Sequence, residues 1–310
     1  MKATKISPKM DPIMRAIKAV HSVAGGSASV SEEDLAKQRS SQELFGILVT
    51  PVIGVSNEKT EIEGMQAAWW KPDLRHEKRH VILYCHGGGY TAGNLNYAGI
   101  LASKLSFHTG LETLAFEYRL APENTYPAAV EDAIKAWDYL MKLGYAARDV
   151  LVAGDSAGGN LALELCLELK KQNRMLPRAL ILMSPWTDMT ATAETYESLV
   201  DVDPMITPDY VKAVRGAYVG EIDSESDYKK DIYSPLFADL TGLPQTYIQV
   251  GECEILLDDS RKLAERLREA EVPVKLDIYK GGWHVFQQMP MRKSIKAIMD
   301  VGGYTVEVLK

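Results

Sequence analysis

Cysteine is scarce in this chain of 310 residues, which contains only three, at Cys85, Cys166 and Cys253. An odd number of cysteines without a C-x-x-C pair argues against a disulfide framework and against a zinc site. Cys85 and Cys166 fall in apolar runs, where cysteine commonly packs as a small buried hydrophobic residue. The sequence therefore predicts a fold that depends on neither disulfides nor a metal.

Positive charge is also in deficit, since 35 lysines and arginines face 42 aspartates and glutamates, for a formal net charge of −7. This balance excludes a general nucleic-acid binder, which needs a basic surface to neutralise phosphates. No run of about 18 apolar residues occurs, so a membrane-spanning helix is not expected. The first apolar stretch, residues 13–23, is interrupted by Arg15 and Lys18, which argues against a secretory signal. We therefore expect a cytoplasmic protein.

The order of the predicted elements indicates an α/β fold. Two helices come first, at residues 8–24 and 31–45, and a hairpin follows, with strands at residues 50–55 and 60–70. Short apolar strands then alternate with helices, which is typical of a parallel sheet covered on both faces. The expected strands are residues 80–85, 111–118, 150–153, 179–183, 246–250 and 274–279, and the expected helices are residues 97–107, 128–143, 157–172, 256–270 and 291–309. With the hairpin as an antiparallel edge, this makes a mostly parallel sheet of eight strands.

One long segment interrupts the alternation of strands and helices. Residues 189–235 form an insertion that contains a predicted helix at 209–218. Long connections of this kind are usually functional, lids included. We predict that the insertion and the N-terminal residues 1–48 form a helical cap over the carboxyl edge of the sheet, where open α/β sheets bind ligands. Residues 49–188 and 236–310 would then form the catalytic domain.

A serine lies at the sharpest predicted turn of the sheet. Residues 154–159 read Gly-Asp-Ser-Ala-Gly-Gly, between a predicted strand and a predicted helix. This is the G-x-S-x-G pattern in the strand–turn–helix setting of a nucleophile elbow. The glycines avoid collisions in the tight turn, and the start of the helix behind the serine favours developing negative charge. We predict that Ser156 is a nucleophile.

A run of three glycines follows the strand at residues 80–85, in the sequence His-Gly-Gly-Gly-Tyr at residues 86–90. Consecutive glycines let the backbone approach a ligand closely, with N–H groups turned toward it. Such a loop, together with the N–H of the residue after a nucleophilic serine, forms an oxyanion hole in lipases and esterases. We predict that the donors are the N–H groups of Gly87, Gly88 and Ala157. His86 precedes the serine in the chain, and we expect it to be structural.

A serine hydroxyl needs an adjacent base to act as a nucleophile. In α/β-hydrolases the partners follow the serine in the order carboxylate, then histidine. Of the six histidines, His284 is the one that follows Ser156, and it lies just past the last predicted strand. His284 is therefore the predicted base.

The carboxylate that orients the histidine is less sharply defined by the sequence. Four acidic residues crowd the turn after residues 246–250, namely Glu252, Glu254, Asp258 and Asp259. Asp258 and Asp259 fall in the first turn of the next helix, where an acidic residue ordinarily stabilises the helix dipole. Glu254 fits a loop position best, and Glu252 remains the alternative.

The motifs together resemble those of the bacterial hormone-sensitive-lipase-like esterases, also called family IV of the lipolytic enzymes. The resemblance runs from about Gln66 to His284 and includes Tyr-Arg-Leu-Ala-Pro-Glu at residues 118–123 and Ser-Pro-Trp at residues 184–186. The family's usual Asp-Pro-Leu-x-Asp places the triad acid on Glu254, although here Glu replaces Asp and Ile255 replaces Pro. The resemblance implies hydrolysis of short- to medium-chain acyl esters, no cofactor, a helical cap and, often, a homodimer.

The sequence gives the least information about the substrate pocket. The candidates to contact a small-molecule ester are Tyr90 after the glycine run, the N-terminal helices, and Met205, Tyr210 and Val214 in the insertion. Each of them is also explained as core packing. Lactonases, amidases and deacetylases use the same catalytic residues, and a plant hormone receptor that is similar to this family has lost the histidine. The presence of His284 favours an enzyme.

Overall fold

The computed structural model describes residues 9–23, 29–49, 52–74 and 76–310. The strands are β1 (Val55–Ile62), β2 (Met65–Pro72), β3 (Val81–Cys85), β4 (Glu112–Phe116), β5 (Val150–Asp155), β6 (Ala179–Met183), β7 (Gln245–Gly251) and β8 (Val274–Tyr279). The helices are α1 (Pro12–Val23), α2 (Glu32–Leu48), α3 (Leu95–Thr109), α4 (Ala128–Lys142), α5 (Ala157–Lys171), α6 (Glu194–Ser198), α7 (Pro208–Val219), α8 (Leu257–Glu269) and α9 (Arg292–Val308). Among these helices, none has the length and apolar content that crossing a membrane would require.

The eight strands form one sheet in the order β1-β2-β4-β3-β5-β6-β7-β8. The β1–β2 and β2–β4 pairs are antiparallel, and the remaining pairs are parallel. The central strands are buried on both faces, as in β3, where Val81 and Leu83 pack into one hydrophobic cluster and Ile82 and Tyr84 into the other. The apolar runs of the sequence therefore become strands covered by helices on both sides, which confirms the predicted fold class.

The hairpin of β1 and β2, at one edge of this sheet, differs from its prediction. Residues 56–59 were expected to connect two strands, but they lie inside β1. The turn instead uses Glu63 and Gly64, whose φ angles of 49° and 86° suit the tight turn of a two-residue hairpin. The polar residues of β1 mark an exposed edge strand rather than a loop, since charged side chains are well tolerated at a sheet edge.

The N-terminal helices contact the insertion. Lys18 Nζ on α1 donates to the backbone oxygens of Val200 and Asp201 at 3.3 and 3.1 Å. On α2, Gln38 Nε2 donates to the hydroxyl of Tyr210 on α7 at 2.8 Å. These contacts agree with a cap built from both segments, while the domain boundaries stay predictions. Residues 8, 24 and 50, at which predicted elements began or ended, lie outside the described residues.

Candidate active site

Ser156 occupies the turn between β5 and α5 with φ 54° and ψ −122°, a backbone conformation that is strained for a residue with a side chain. Its N–H donates to Met183 O at 3.0 Å, and its carbonyl accepts from Trp186 N at 3.1 Å. Both bonds tie the turn to β6 and to the residues that follow it. The strained conformation is therefore held in place by the neighbouring strand, as a nucleophile elbow requires.

The glycines around Ser156 are required by backbone packing. A Cβ on Gly158 would lie 2.1 Å from Cys85 O, and a Cβ on Gly154 would lie 2.1 Å from Gly158 O. Such contacts with backbone atoms cannot be relieved by moving a side chain. The small residues of the G-x-S-x-G pattern therefore let β3, β5 and α5 approach one another.

We predict that Gly158→Ala destabilises the protein by about 3 kcal/mol, because the added methyl group overpacks a site bounded by main chain. Gly303→Ala is the matched control, since no heavy atom lies within 4 Å of the added Cβ on α9. That control should be neutral or stabilise the helix by up to about 1 kcal/mol. Urea unfolding measures both changes, and equal midpoints for Gly158→Ala and the parent protein would contradict this packing.

The structure brings His284 to Ser156. His284 follows β8, and its Nε2 lies 2.9 Å from Ser156 Oγ, while its Nδ1 lies 3.4 Å from Glu254 Oε1. Burial would lower the pKa of His284, but the nearby carboxylates of Glu254, Asp203 and Asp155 outweigh burial and raise that pKa. The imidazole therefore sits between a hydroxyl and negative charge, which is the arrangement of a base that becomes cationic during a reaction.

Glu254 is the acidic residue of the turn that reaches the histidine. Its side chain is fully buried, and its Oε2 accepts from Gly251 N at 2.8 Å and from Ser184 Oγ at 2.9 Å. Glu252, the alternative, points elsewhere, because its Oε2 accepts from Gly281 N at 3.0 Å. The geometry thus favours Glu254 as the partner of His284.

Ser184 is a residue whose contribution sequence reasoning missed. Its hydroxyl donates to Glu254 Oε2 and accepts from Val285 N at 3.1 Å, so one side chain bridges the turn of the acid and the loop of the histidine. Its backbone lies in the left-handed region, with φ 49°. The Ser-Pro-Trp motif at residues 184–186 was visible in the sequence, but nothing in it indicates which loops the serine joins.

One predicted oxyanion donor needs correction. The N–H of Gly87 donates to Asp155 Oδ1 at 2.9 Å, so it is used inside the protein and does not face a substrate. Asp155 is fully buried and also accepts from the hydroxyl of Tyr84, and burial raises its pKa to about 6. The carboxylate of Asp155, directly before Ser156, therefore anchors the start of the glycine run.

The other candidate oxyanion donors differ from Gly87 in that their N–H groups are not used within the part of the chain that the structure describes. Among the hydrogen bonds of the described residues, none has the N–H of Gly88, Gly89 or Ala157 as its donor.

His86 is buried, with Nδ1 2.8 Å from Gly87 O, and its ring stacks on Tyr118 at 4.2 Å. Burial lowers the pKa of His86 to about 4, which supports the structural role expected for it.

The predicted pocket residues fall in three different surroundings. The Tyr90 side chain is 1% exposed, its hydroxyl donates to Asn160 Oδ1 at 2.7 Å and its ring stacks on Tyr218 at 3.7 Å. This side chain leaves no surface for a substrate, so its assignment is corrected to core packing. Met205 packs in a cluster with Trp283, the residue before His284.

Tyr210 and Val214 lie over the glycine run. A Cβ on Gly89 would lie 2.8 Å from the hydroxyl oxygen of Tyr210 and 3.2 Å from Cγ2 of Val214. Helix α7 of the insertion therefore approaches the loop that carries the candidate oxyanion donors. These two residues remain candidates to contact a substrate.

Comparison with known proteins agrees with the fold. The family described as alpha/beta hydrolase fold matches residues 82–288, and the chain belongs to this family. An esterase of Acinetobacter venetianus is 38% identical over 230 residues, covering 74% of this chain and 75% of that protein. An acetyl-hydrolase of Streptomyces hygroscopicus is 32% identical over 263 residues, covering 84% of this chain and 85% of that protein.

Solved structures narrow the assignment of the chain within this family. The crystal structure of an esterase from the bacterial hormone-sensitive lipase family has a TM-score of 0.88 at 29% identity, covering 97% of this chain and all (100%) of that one. A hormone-sensitive lipase from a metagenome library has a TM-score of 0.87 at 32% identity, covering 96% and 99% of the two chains. Within its family the chain is a bacterial hormone-sensitive-lipase-like esterase.

Proposed function

We propose that Ser156, His284 and Glu254 form the triad of a carboxylesterase that acts on short- to medium-chain acyl esters through an acyl-enzyme. The observation that carries the proposal is the 2.9 Å separation of Ser156 Oγ and His284 Nε2 at the end of a parallel sheet. A base within hydrogen-bonding distance of a serine activates its hydroxyl for attack.

Acylation follows from this arrangement. His284 Nε2 takes the hydroxyl proton as Ser156 Oγ forms a bond to the ester carbonyl carbon. The carbonyl oxygen becomes an oxyanion, and the N–H groups of Gly88, Gly89 and Ala157 are the proposed donors to it, with Gly89 in place of Gly87. The ester bond then breaks, and the leaving alkoxide takes the proton back from His284.

Deacylation repeats the same chemistry with water. His284 removes a proton from a water molecule, whose oxygen attacks the acyl carbon. Collapse of this second intermediate releases the carboxylic acid and returns the proton to Ser156. Glu254 carries negative charge beside Nδ1 throughout, which favours the tautomer with a free Nε2 and stabilises the imidazolium between steps.

We predict that activity on p-nitrophenyl esters is highest with short acyl chains. Helix α7 lies directly against the glycine run, since a Cβ built on Gly89 would lie 2.8 Å from the Tyr210 hydroxyl oxygen and 3.2 Å from Val214 Cγ2. The similarity to an acetyl-hydrolase agrees with a small acyl group. A comparison of kcat/KM for the acetate, butyrate, octanoate and laurate esters tests this expectation, and a maximum at laurate would contradict it.

A pure binding function is the alternative from a different class. It predicts that Ser156 would not react with a fluorophosphonate, because a serine without an effective base is a weak nucleophile. The placement of His284 favours the enzyme. Lactones, amides and acetylated compounds fit the same chemistry, and the same assays extended to those substrates would rank them against simple esters.

A further inference from the structure

A second buried carboxylate lies beside the candidate triad, and it comes from the cap. Asp203 belongs to the insertion, before α7, and is 1% exposed. Its Oδ1 accepts from the N–H groups of Met205 and Ile206 at 2.8 and 3.2 Å. Its Oδ2 accepts from the N–H of Ile255 at 2.9 Å. A buried carboxylate is costly unless it is hydrogen-bonded in this way, so the cap and the turn after β7 are held together here.

The bond to Ile255 sets Asp203 apart from an ordinary turn residue. One carboxylate oxygen suffices to close a local turn with the N–H groups that follow it. The second oxygen instead reaches a residue 52 positions further along the chain. That residue directly follows Glu254, the proposed triad acid.

The insertion also makes a hydrogen bond to the backbone carbonyl of Ile255. Thr195 on α6 donates from Oγ1 to Ile255 O at 2.7 Å, and the same hydroxyl accepts from Asp258 N at 3.2 Å. Both the N–H and the carbonyl of Ile255 are therefore bonded to side chains of the insertion. The turn that carries Glu254 is fixed from the cap side, while Ser184 and Gly251 fix the carboxylate itself.

The charges around this turn are mostly negative. The carboxylates of Glu254, Asp203 and Asp155 all raise the pKa of His284. The charges of His284 and Glu254 act in turn on the pKa of Asp203. The buried Cys253 thiol also lies near Asp203, with its pKa raised by burial to about 11. Burial raises the pKa of Asp203 to about 6, and its anion in turn raises the pKa of His284.

We propose that Asp203 is a positioning residue for the triad, through which docking of the cap fixes the turn that carries Glu254. The inference rests on the proposed function of Ser156, His284 and Glu254. It makes the cap part of the catalytic arrangement as well as a cover over the substrate.

The test compares Asp203→Asn with Asp201→Asn, a matched control that makes the same charge change at an exposed side chain of the same segment. Asp203→Asn should lower kcat on p-nitrophenyl butyrate by roughly tenfold to a hundredfold, because a small displacement of an orienting group is costly to the rate. KM should change little. Asp201→Asn should match the parent enzyme in both quantities.

The pH profile separates positioning from a general loss of stability. His284 must be neutral to act as a base, so kcat/KM falls as pH drops through its pKa. Removing the anion of Asp203 lowers the pKa of His284. The acid limb of the pH profile, where kcat/KM falls at low pH, should therefore move to lower pH by about 0.5 unit or more. Thr195→Val removes the other cap contact without a charge, so it should lower kcat and leave the acid limb in place.

The outcomes are distinguishable. If the parent protein shows no ester hydrolysis that depends on Ser156, the proposed function fails. If the parent is active and both Asp203→Asn and Thr195→Val retain its kcat and acid limb, only the role of Asp203 and the cap is overturned. If Asp203→Asn does not fold, two other measurements test the proposal. They are the kcat of Thr195→Val and the rate of amide deuterium exchange in the parent protein. Exchange of the Ile255 amide at the rate of an exposed loop would then overturn the proposal.

Discussion

Ser156→Ala is expected to lower kcat for p-nitrophenyl butyrate by about 10⁵- to 10⁶-fold, the loss usual when a triad nucleophile is removed. The oxygen that attacks the ester is gone, and His284 has no neighbouring hydroxyl to activate. The fold should be unaffected, since the removed group bonds only to His284 Nε2 among the described contacts. Initial rates and thermal unfolding of the same preparation measure the two effects.

Labelling adds a readout that does not depend on turnover. A fluorophosphonate forms a covalent bond to an activated serine, so the parent protein should be labelled and Ser156→Ala should not. Ser226→Ala is a suitable control, because Ser226 is exposed and its hydroxyl contacts Ser224. Turnover by Ser156→Ala equal to that of the parent would remove Ser156 from the mechanism.

Glu254→Gln is expected to lower kcat by about 10³- to 10⁴-fold, as neutralising the triad acid does elsewhere. Glutamine has almost the same shape, but it carries no charge to stabilise the imidazolium. Its amide group can also face Nδ1 as a donor, which favours the tautomer that leaves no free Nε2 toward Ser156. Rates at alkaline pH, where His284 is neutral in either protein, isolate the effect of this charge on catalysis.

Glu252→Gln is the matched control, since it makes the same substitution two residues away in the same turn. Glu252 bonds to Gly281 N and has no contact with His284 in the described structure, so activity should stay within a few-fold of the parent. The reverse result, with Glu252→Gln inactive and Glu254→Gln active, would transfer the acid role to Glu252.

The sheet and the motif residues could be predicted from the sequence because each rests on a local pattern. The apolar run of β3 predicts a buried strand, and the glycines around Ser156 predict a tight turn. Neither prediction needs information from elsewhere in the chain. The β1–β2 turn was misplaced, because polar residues 56–59 resemble a loop although they occupy an exposed edge strand. The short helix α6 was not expected at all, since five residues carry little periodicity.

Contacts between distant segments could not be predicted in this way. Nothing near Gly87 in the sequence shows that its N–H would be taken by Asp155, 68 positions later. The same holds for the bond between Asp203 and Ile255. Dimerisation and a cytoplasmic location likewise stay predictions.

The bridge made by Ser184 leaves little freedom at that position. One small side chain must donate a hydrogen bond to a carboxylate and accept one from a backbone N–H, and alanine or cysteine would satisfy neither demand well. Threonine keeps the hydroxyl, but its branched carbon is disfavoured at the left-handed φ of 49°. Both loops therefore require serine at this position, and substitutions in this protein should be tolerated more readily at exposed positions than at this buried hydroxyl.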